Sequence, residues 1–193
     1  LSPAHINVYF KGDDMPYFSS NEHDNQDELI AHLRDSSGSE FVAWTHHATR
    51  ETQPSDFAYY DQDINTMLEI YSGHGSCELI GEENPYPEEG EIEEPGYSLR
   101  DALQMGRRFG IMASSDTHDG RMGHDLLHTR ARTLTQQPYT LAAYHYSERY
   151  PGGLTGLYIP QLSREHVFNG LKTRSGYATT GINRHVVKFS VNG

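Results

Sequence analysis

Three apolar runs in this sequence end in side chains of the kinds that bind metal ions. "FVAWT" (41–45) leads into His46 and His47, "MLEIYS" (67–72) carries Glu69 and leads into Gly73 and His74, and "IMASS" (111–115) leads into Asp116, Thr117 and His118. Imidazole and carboxylate together suit zinc, manganese or iron, and a carboxylate beside several imidazoles is the usual construction of a multinuclear hydrolytic site. In extended backbone, residues two apart project to the same side, so Asp116 and His118 are expected to aim at one centre while Thr117 turns away. Taken singly, each residue has a plainer use. A histidine at a strand end is commonly a hydrogen-bonded surface residue, an aspartate after a strand is commonly a helix cap, and Glu69 has Arg50 and Arg100 as possible partners. The metal reading rests on the conjunction of three strand ends.

Such a conjunction needs elements that converge. "HINVYF" (5–10) alternates Ile6, Val8 and Phe10 on one face, as a strand does, and "NQDELIAHLRD" (25–35) spaces Leu29, Ile30 and Leu33 as a helix behind Asn25 as N-cap. "SLRDALQMGRRFG" (98–110) predicts a second helix. Ser98 and Asp101 stand in capping-box spacing, Leu99, Ala102 and Leu103 share a face, and Gly110 is the stop before the next strand. Alternation of strands with helix-containing connections predicts a βαβ architecture, a parallel sheet or barrel, whose sites lie at the carboxyl ends of the strands. Toward the end of the chain, residues 153–193 read as a strand, a helix and a strand. Ser163 caps the helix carrying Val167, Phe168 and Leu171, "GYATTG" reads as a strand with a turn, and Val187, Phe189 and Val191 alternate.

Two segments interrupt this rhythm. Residues 81–96, "GEENPYPEEGEIEEPG", hold seven glutamates, three prolines and no basic residue, a composition expected of a solvated acidic insertion. Residues 123–153 are of mixed character and are expected to form a surface excursion with a helix; His124 and His128 are read as loop residues within it.

The bulk properties narrow the partners. At 193 residues the chain fits one domain. With 15 basic against 27 acidic residues it carries a net charge of −12, which opposes a nucleic-acid backbone. No stretch approaches the roughly 18 to 20 consecutive apolar residues of a membrane span. Cys77, the one cysteine, excludes an internal disulfide, and the compartment stays open. The sequence opens at Leu1 on a strand and stops at Asn192-Gly193, a hairpin signal with no return strand, so a fragment of a longer protein is expected.

Together, "FVAWTHHATR", "MLEIYSGHGSCE", "IMASSDTHDG" and the tail "LKTRSGYATTGINRHVVKFSVNG" resemble the PHP (polymerase and histidinol phosphatase) superfamily, and more narrowly its bacterial branch known as domain of unknown function 3604. The resemblance runs over nearly the whole chain. It implies a distorted β/α barrel with a two- or three-metal centre at its carboxyl end that hydrolyses phosphate esters. It assigns Asp116 and His118 to the late Asp-x-His ligand pair, His46 or His47 to the mid-chain ligand with His46 favoured, and His5 to an earlier histidine. Glu69, His74, Glu78 and Ser115 fall to the pocket. The His-x-His motif that opens PHP domains does not occur in this sequence, so the barrel is expected to be incomplete and its first ligands to lie upstream.

The expected chemistry is hydrolysis of a small phosphate ester by a metal-activated hydroxide. Manganese, zinc or iron, two or three ions in the intact parent, would lower the pKa of a bound water toward ~7 and neutralise phosphoryl oxygens. His74, with an unperturbed pKa of about 6.5, would protonate the leaving oxygen, and Arg50 would bind a phosphate oxygen. Two other readings stand beside it. An amidohydrolase-like site wants a carboxylated lysine, and the lysines, Lys11, Lys172 and Lys188, end no strand in the central block. A non-catalytic metal- or carbohydrate-binding module would use the thirteen tyrosines to line a groove.

Overall fold

The computed structural model describes residues 4–17, 25–88, 90–116, 150, 152–180, 185–186 and 190–191. Strand β1 (His5–Phe10) is followed by helix α1 (Gln26–Ser36), which begins as its sequence predicts: the Asn25 side chain accepts the Glu28 backbone N–H at 3.0 Å. Strand β2 (Phe41–His46) then pairs antiparallel with β1, from Phe10 opposite Phe41 to His5 opposite His46.

β2 is covered on both faces, and its alternation says by what. Phe41 and Ala43 pack with Ile30 and Leu33 of α1, whereas Val42 and Trp44 pack with Met67, Met112, Phe168 and Leu171. Burial on both faces explains the unbroken apolar run "FVAW". Strand β3 (Met67–Ser72) divides its side chains in the same way, with Met67 in that second cluster and Leu68 in a third beside Ala48, Phe57, Cys77, Leu99 and Ala102.

A short strand β4 (Gly75–Ser76) turns back antiparallel on the end of β3. Helix α2 (Leu99–Gln104) then carries the chain to β5 (Gly110–Ala113), which pairs parallel with β3. The Ser98–Asp101 capping box is present in both directions. Strand β6 (Leu154–Leu157), helix α3 (Arg164–Lys172, capped by Ser163) and β7 (Gly176–Thr179) complete the described elements, with β6 and β7 antiparallel.

This architecture corrects the expected incomplete, distorted β/α barrel. The strands form three small sheets of two, three and two strands, and no barrel closes among the described residues. Among the described strands, only the β3–β5 pair, with α2 in its connection, runs parallel. β1 and β2 run antiparallel although α1 lies between them, because a connection of that length can return the chain in either direction. Alternating hydrophobicity reports which face is buried, not how the neighbour runs.

Two further expectations change. The second helix ends at Gln104 rather than at Gly110: Gly106 takes a φ of 78° and turns the chain, and Leu103 is 56% exposed instead of facing the core. The acidic segment 81–96 is not simply solvated. Asn84, Glu88 and Ile92 are buried, and its backbone bonds the exits of two strands through Ser76 N–H to Tyr86 O (2.7 Å) and Ile92 N–H to Thr49 O (2.7 Å). His118, His124, His128, most of the 123–153 excursion and most of the final strand lie outside the described residues. Among those described, no helix is long and apolar enough to cross a membrane.

Candidate metal centre

The centre forms where β2, β3 and β5 end. A strand continuing past His46 would send His47 to the opposite face. Instead His47 takes a left-handed φ of 46°, its carbonyl accepts the Arg50 N–H at 3.1 Å, and the two rings come to one side with centroids 3.5 Å apart. Asp116 is the second left-handed residue, with φ 54°. β5 has already ended at Ala113, and the chain beyond it is laced to the end of β3 by Ser114 N–H to Tyr71 O (3.0 Å) and Gly73 N–H to Ser115 O (3.1 Å). Extended alternation therefore does not aim Asp116; a turn does. Two non-glycine residues in this strained region at one point mark a place where the surroundings hold the backbone in a costly conformation.

Oδ2 of Asp116 faces three imidazoles: His74 Nε2 at 2.8 Å, His46 Nε2 at 3.1 Å and His47 Nδ1 at 3.6 Å. It is buried without the alignment of a hydrogen bond to any of them, and Nδ1 of His47 likewise has no hydrogen-bond partner among the described residues. One ligand atom from each of His46, His47 and Asp116 lies within 4.8 Å of the others. Glu69, buried at the middle of β3, holds the other side of the His46 ring, with Oε1 2.5 Å from Nδ1. That contact turns Nε2 toward Asp116. It also answers the sequence alternative for Glu69, whose partner is His46 rather than an arginine.

The electrostatics follow the packing. Burial opposes protonation of His46, but the Glu69 carboxylate and Asp116 outweigh it and push its pKa up to about 10. His47, buried beside that charge, is held far below the ordinary histidine value and is neutral, the form that binds metals. Burial also works against the Asp116 carboxylate, yet the imidazoles of His46 and His74 hold it well below the usual carboxylate range.

These donors fit a divalent ion. Two imidazole nitrogens and a carboxylate oxygen converge, a third imidazole adjoins them, and a carboxylate orients the outer nitrogen of one ligand, the arrangement that tunes metal-binding histidines.

The other predicted residues distribute around this point. His5 sits opposite His46 in the β1–β2 register, exposed, with its ring stacked 6.4 Å from His46 and tilted 5.5 Å from His47, at the rim of the centre. Arg50 is half-buried, and its charge is felt at both His5 and His47. His74 is buried on Asp116 rather than free at the mouth. Ser115 contributes its backbone carbonyl to Gly73. Glu78 is not brought to the centre: it is exposed and borders a separate groove with Leu79, Leu99 and Leu103.

Glu88 is the residue that sequence reasoning missed. It is buried behind the centre, accepts the Thr49 hydroxyl at 2.8 Å, and burial pushes its pKa up to about 7 against that hydrogen bond. Nothing in a segment with seven glutamates singles it out.

Comparison with known proteins gives a match to a family over part of the chain and no activity. Two curated relatives, each described as an uncharacterized protein, come from Chlamydia muridarum (strain MoPn / Nigg) and Chlamydia trachomatis serovar D. They are 30% and 29% identical over 139 residues, covering 70% of this chain and 20% of each relative. The chain thus spans about a fifth of the length of the curated relatives it matches. No solved structure matches it. The family match covers Asp116, while His46, His47, Glu69 and His74 precede it. Residues 96–191 match the family described as protein of unknown function, DUF3604.

Proposed function

We propose that this chain carries part of a divalent-metal hydrolase centre of the PHP type, acting on small phosphate esters. The observation that carries the reading is the convergence of His46, His47 and Asp116 ligand atoms within 4.8 Å, with His74 2.8 Å from the same carboxylate oxygen. Manganese, zinc or iron bound there would supply Lewis acidity and an acidified water. The chain's own residues do the rest. Glu69 fixes the His46 ring through Nδ1, His47 presents a neutral nitrogen, and His74 holds Asp116 in place, which fits it better to the ligand cluster than to proton delivery at the mouth.

Arg50 supports phosphate as the group bound. In a chain of net charge −12, half-buried Arg50, whose charge acts on His47, supplies positive charge near the centre, in a guanidinium fork that suits phosphoryl oxygens. The amidohydrolase alternative finds less support, since Lys11 and Lys172 both pair with Glu40, at the opposite end of β2 from His46.

The test is elemental analysis of the protein purified without chelator, beside Asp116→Ala and His46→Ala. The expected result is manganese, zinc or iron in the wild type and its loss in both variants, followed by manganese-dependent hydrolysis of an aryl phosphate by the longer parent protein. A wild type that takes up none of these ions when they are added overturns the reading. Metal uptake without turnover of any phosphate ester by the parent favours the binding-module alternative.

A further inference from the structure

The acidic segment 81–96 does something its composition hides: it ties together the two turns that carry the histidines. On one side it grips the turn after His47. Ile92 N–H donates to Thr49 O at 2.7 Å, Glu51 N–H donates to Gly90 O at 2.7 Å, and Arg50 and Glu91 form a backbone bridge. On the other side it grips the turn that carries His74, through Ser76 N–H to Tyr86 O and a bridge between Ser76 and Pro87.

Glu88 stands between these two grips. Its backbone fits against Gly75, where an added Cβ would fall 2.8 Å from Glu88 backbone atoms, and its side chain crosses to the hydroxyl of the fully buried Thr49. The carboxylate lies close enough to His46, Glu69 and His74 for their charges to act on it. A buried carboxyl group is costly unless something partners it.

We propose that Glu88 is a positioning residue of the metal centre: it clamps the His47 turn to the His74 turn and, with its carboxyl group ionised when a divalent cation is bound, places a negative charge behind them that raises affinity for that cation. The inference rests on the metal reading given above. It makes Glu88 an outer partner of the ligands, like Glu69 but reaching them through Thr49 and Gly75 rather than through a ring nitrogen. Outer partners of this kind typically contribute 10–100-fold to metal affinity.

The experiment titrates the metal-free chain with Mn²⁺ and Zn²⁺, in competition with a chelating dye, for wild type, Glu88→Gln, Glu88→Ala, Thr49→Val and Asp116→Ala. Urea midpoints and amide exchange at Glu51 and Ile92 are measured on the same metal-free samples. Glu88→Gln keeps an acceptor for Thr49 and removes the charge, so it is expected to hold the wild-type urea midpoint or exceed it while binding Mn²⁺ about 10-fold or more weakly. Glu88→Ala is expected to weaken binding further and speed exchange at both amides, and Thr49→Val to weaken binding several-fold with the charge intact.

Glu88→Gln binding within twofold of wild type overturns the charge role. Affinity losses across the three clamp variants that simply follow their urea midpoints make the segment merely structural and overturn the proposal. If Asp116→Ala abolishes binding while Glu88→Gln retains it, only this inference fails; a wild type that binds neither ion removes the metal reading and this inference together.

Discussion

Two groups of charged side chains occupy opposite ends of β2 and β3, and they are built on opposite principles. Where the strands begin, a cleft of about 550 Å³ is bordered by Arg34, Glu40, Lys172 and Arg174, a volume ample for a small ligand. Its basic groups are already matched: Arg34 meets Asp61 at 2.6 Å, Lys172 meets Glu40 at 3.2 Å, and Arg174 donates to the carbonyls of Arg108 and Gln62. Where the strands end, the polar atoms are buried and converge on Asp116, whose Oδ2 has no aligned hydrogen bond among the described residues. Density of charge does not make a site. Buried donors that share a focus and leave it unsatisfied do.

The contrast is sharpest in metal binding. Asp116→Ala removes the oxygen on which the imidazoles focus and is expected to weaken Mn²⁺ or Zn²⁺ binding by 100-fold or more, read by dye competition, whereas Lys172→Ala at the other end leaves it unchanged. Equal effects of the two would erase the distinction. Next in size is Glu69→Gln, which keeps the shape of β3 but loses the charged partner of His46 Nδ1; a 10–100-fold loss of affinity is expected.

Stability separates the two ends further. Gly75→Ala forces a side chain onto a residue with φ 140° and against the Glu88 backbone, and a loss of about 3 kcal/mol in urea unfolding is expected. The pH dependence of the metal-free protein carries the next effect. With its folded pKa raised from 4.5 to about 7, Glu88 keeps a proton in the folded state that the unfolded chain has released, so stability falls as pH rises through that window. The total fall across the window is on the order of 3 kcal/mol, and Glu88→Gln is expected to flatten it. Smallest is Arg34→Ala. Its ion pair is half-exposed, and a change of about 0–1 kcal/mol in the same assay is expected.

What could be read from the sequence divides along the range of the interactions. The caps at Asn25, Ser98 and Ser163 were legible because a cap is decided within four residues. The convergence of His46, Asp116 and His74 was legible because each closes an apolar run at a strand end. Strand direction was not: β1 and β2 are joined through a helix, and their residues alternate alike whether the pair is parallel or antiparallel. The aim of Asp116 was drawn from extended geometry, which a φ of 54° abolishes. Glu88 was hidden for a different reason. Its burial depends on contacts with Thr49 and Gly75 far along the chain, while its neighbours in sequence are solvated glutamates and prolines.

The parallel pairing of β3 with β5 also sets an order in time. Asp116 follows His46 by roughly seventy residues and reaches it only when β5 has docked along β3, a non-local closure of the kind that comes slowly in folding. During synthesis the imidazoles of His46, His47 and His74 therefore emerge well before the carboxylate that gathers them. Competence to hold an ion arrives with the completion of one strand pair, and a chain halted before β5 carries the histidines without their focus.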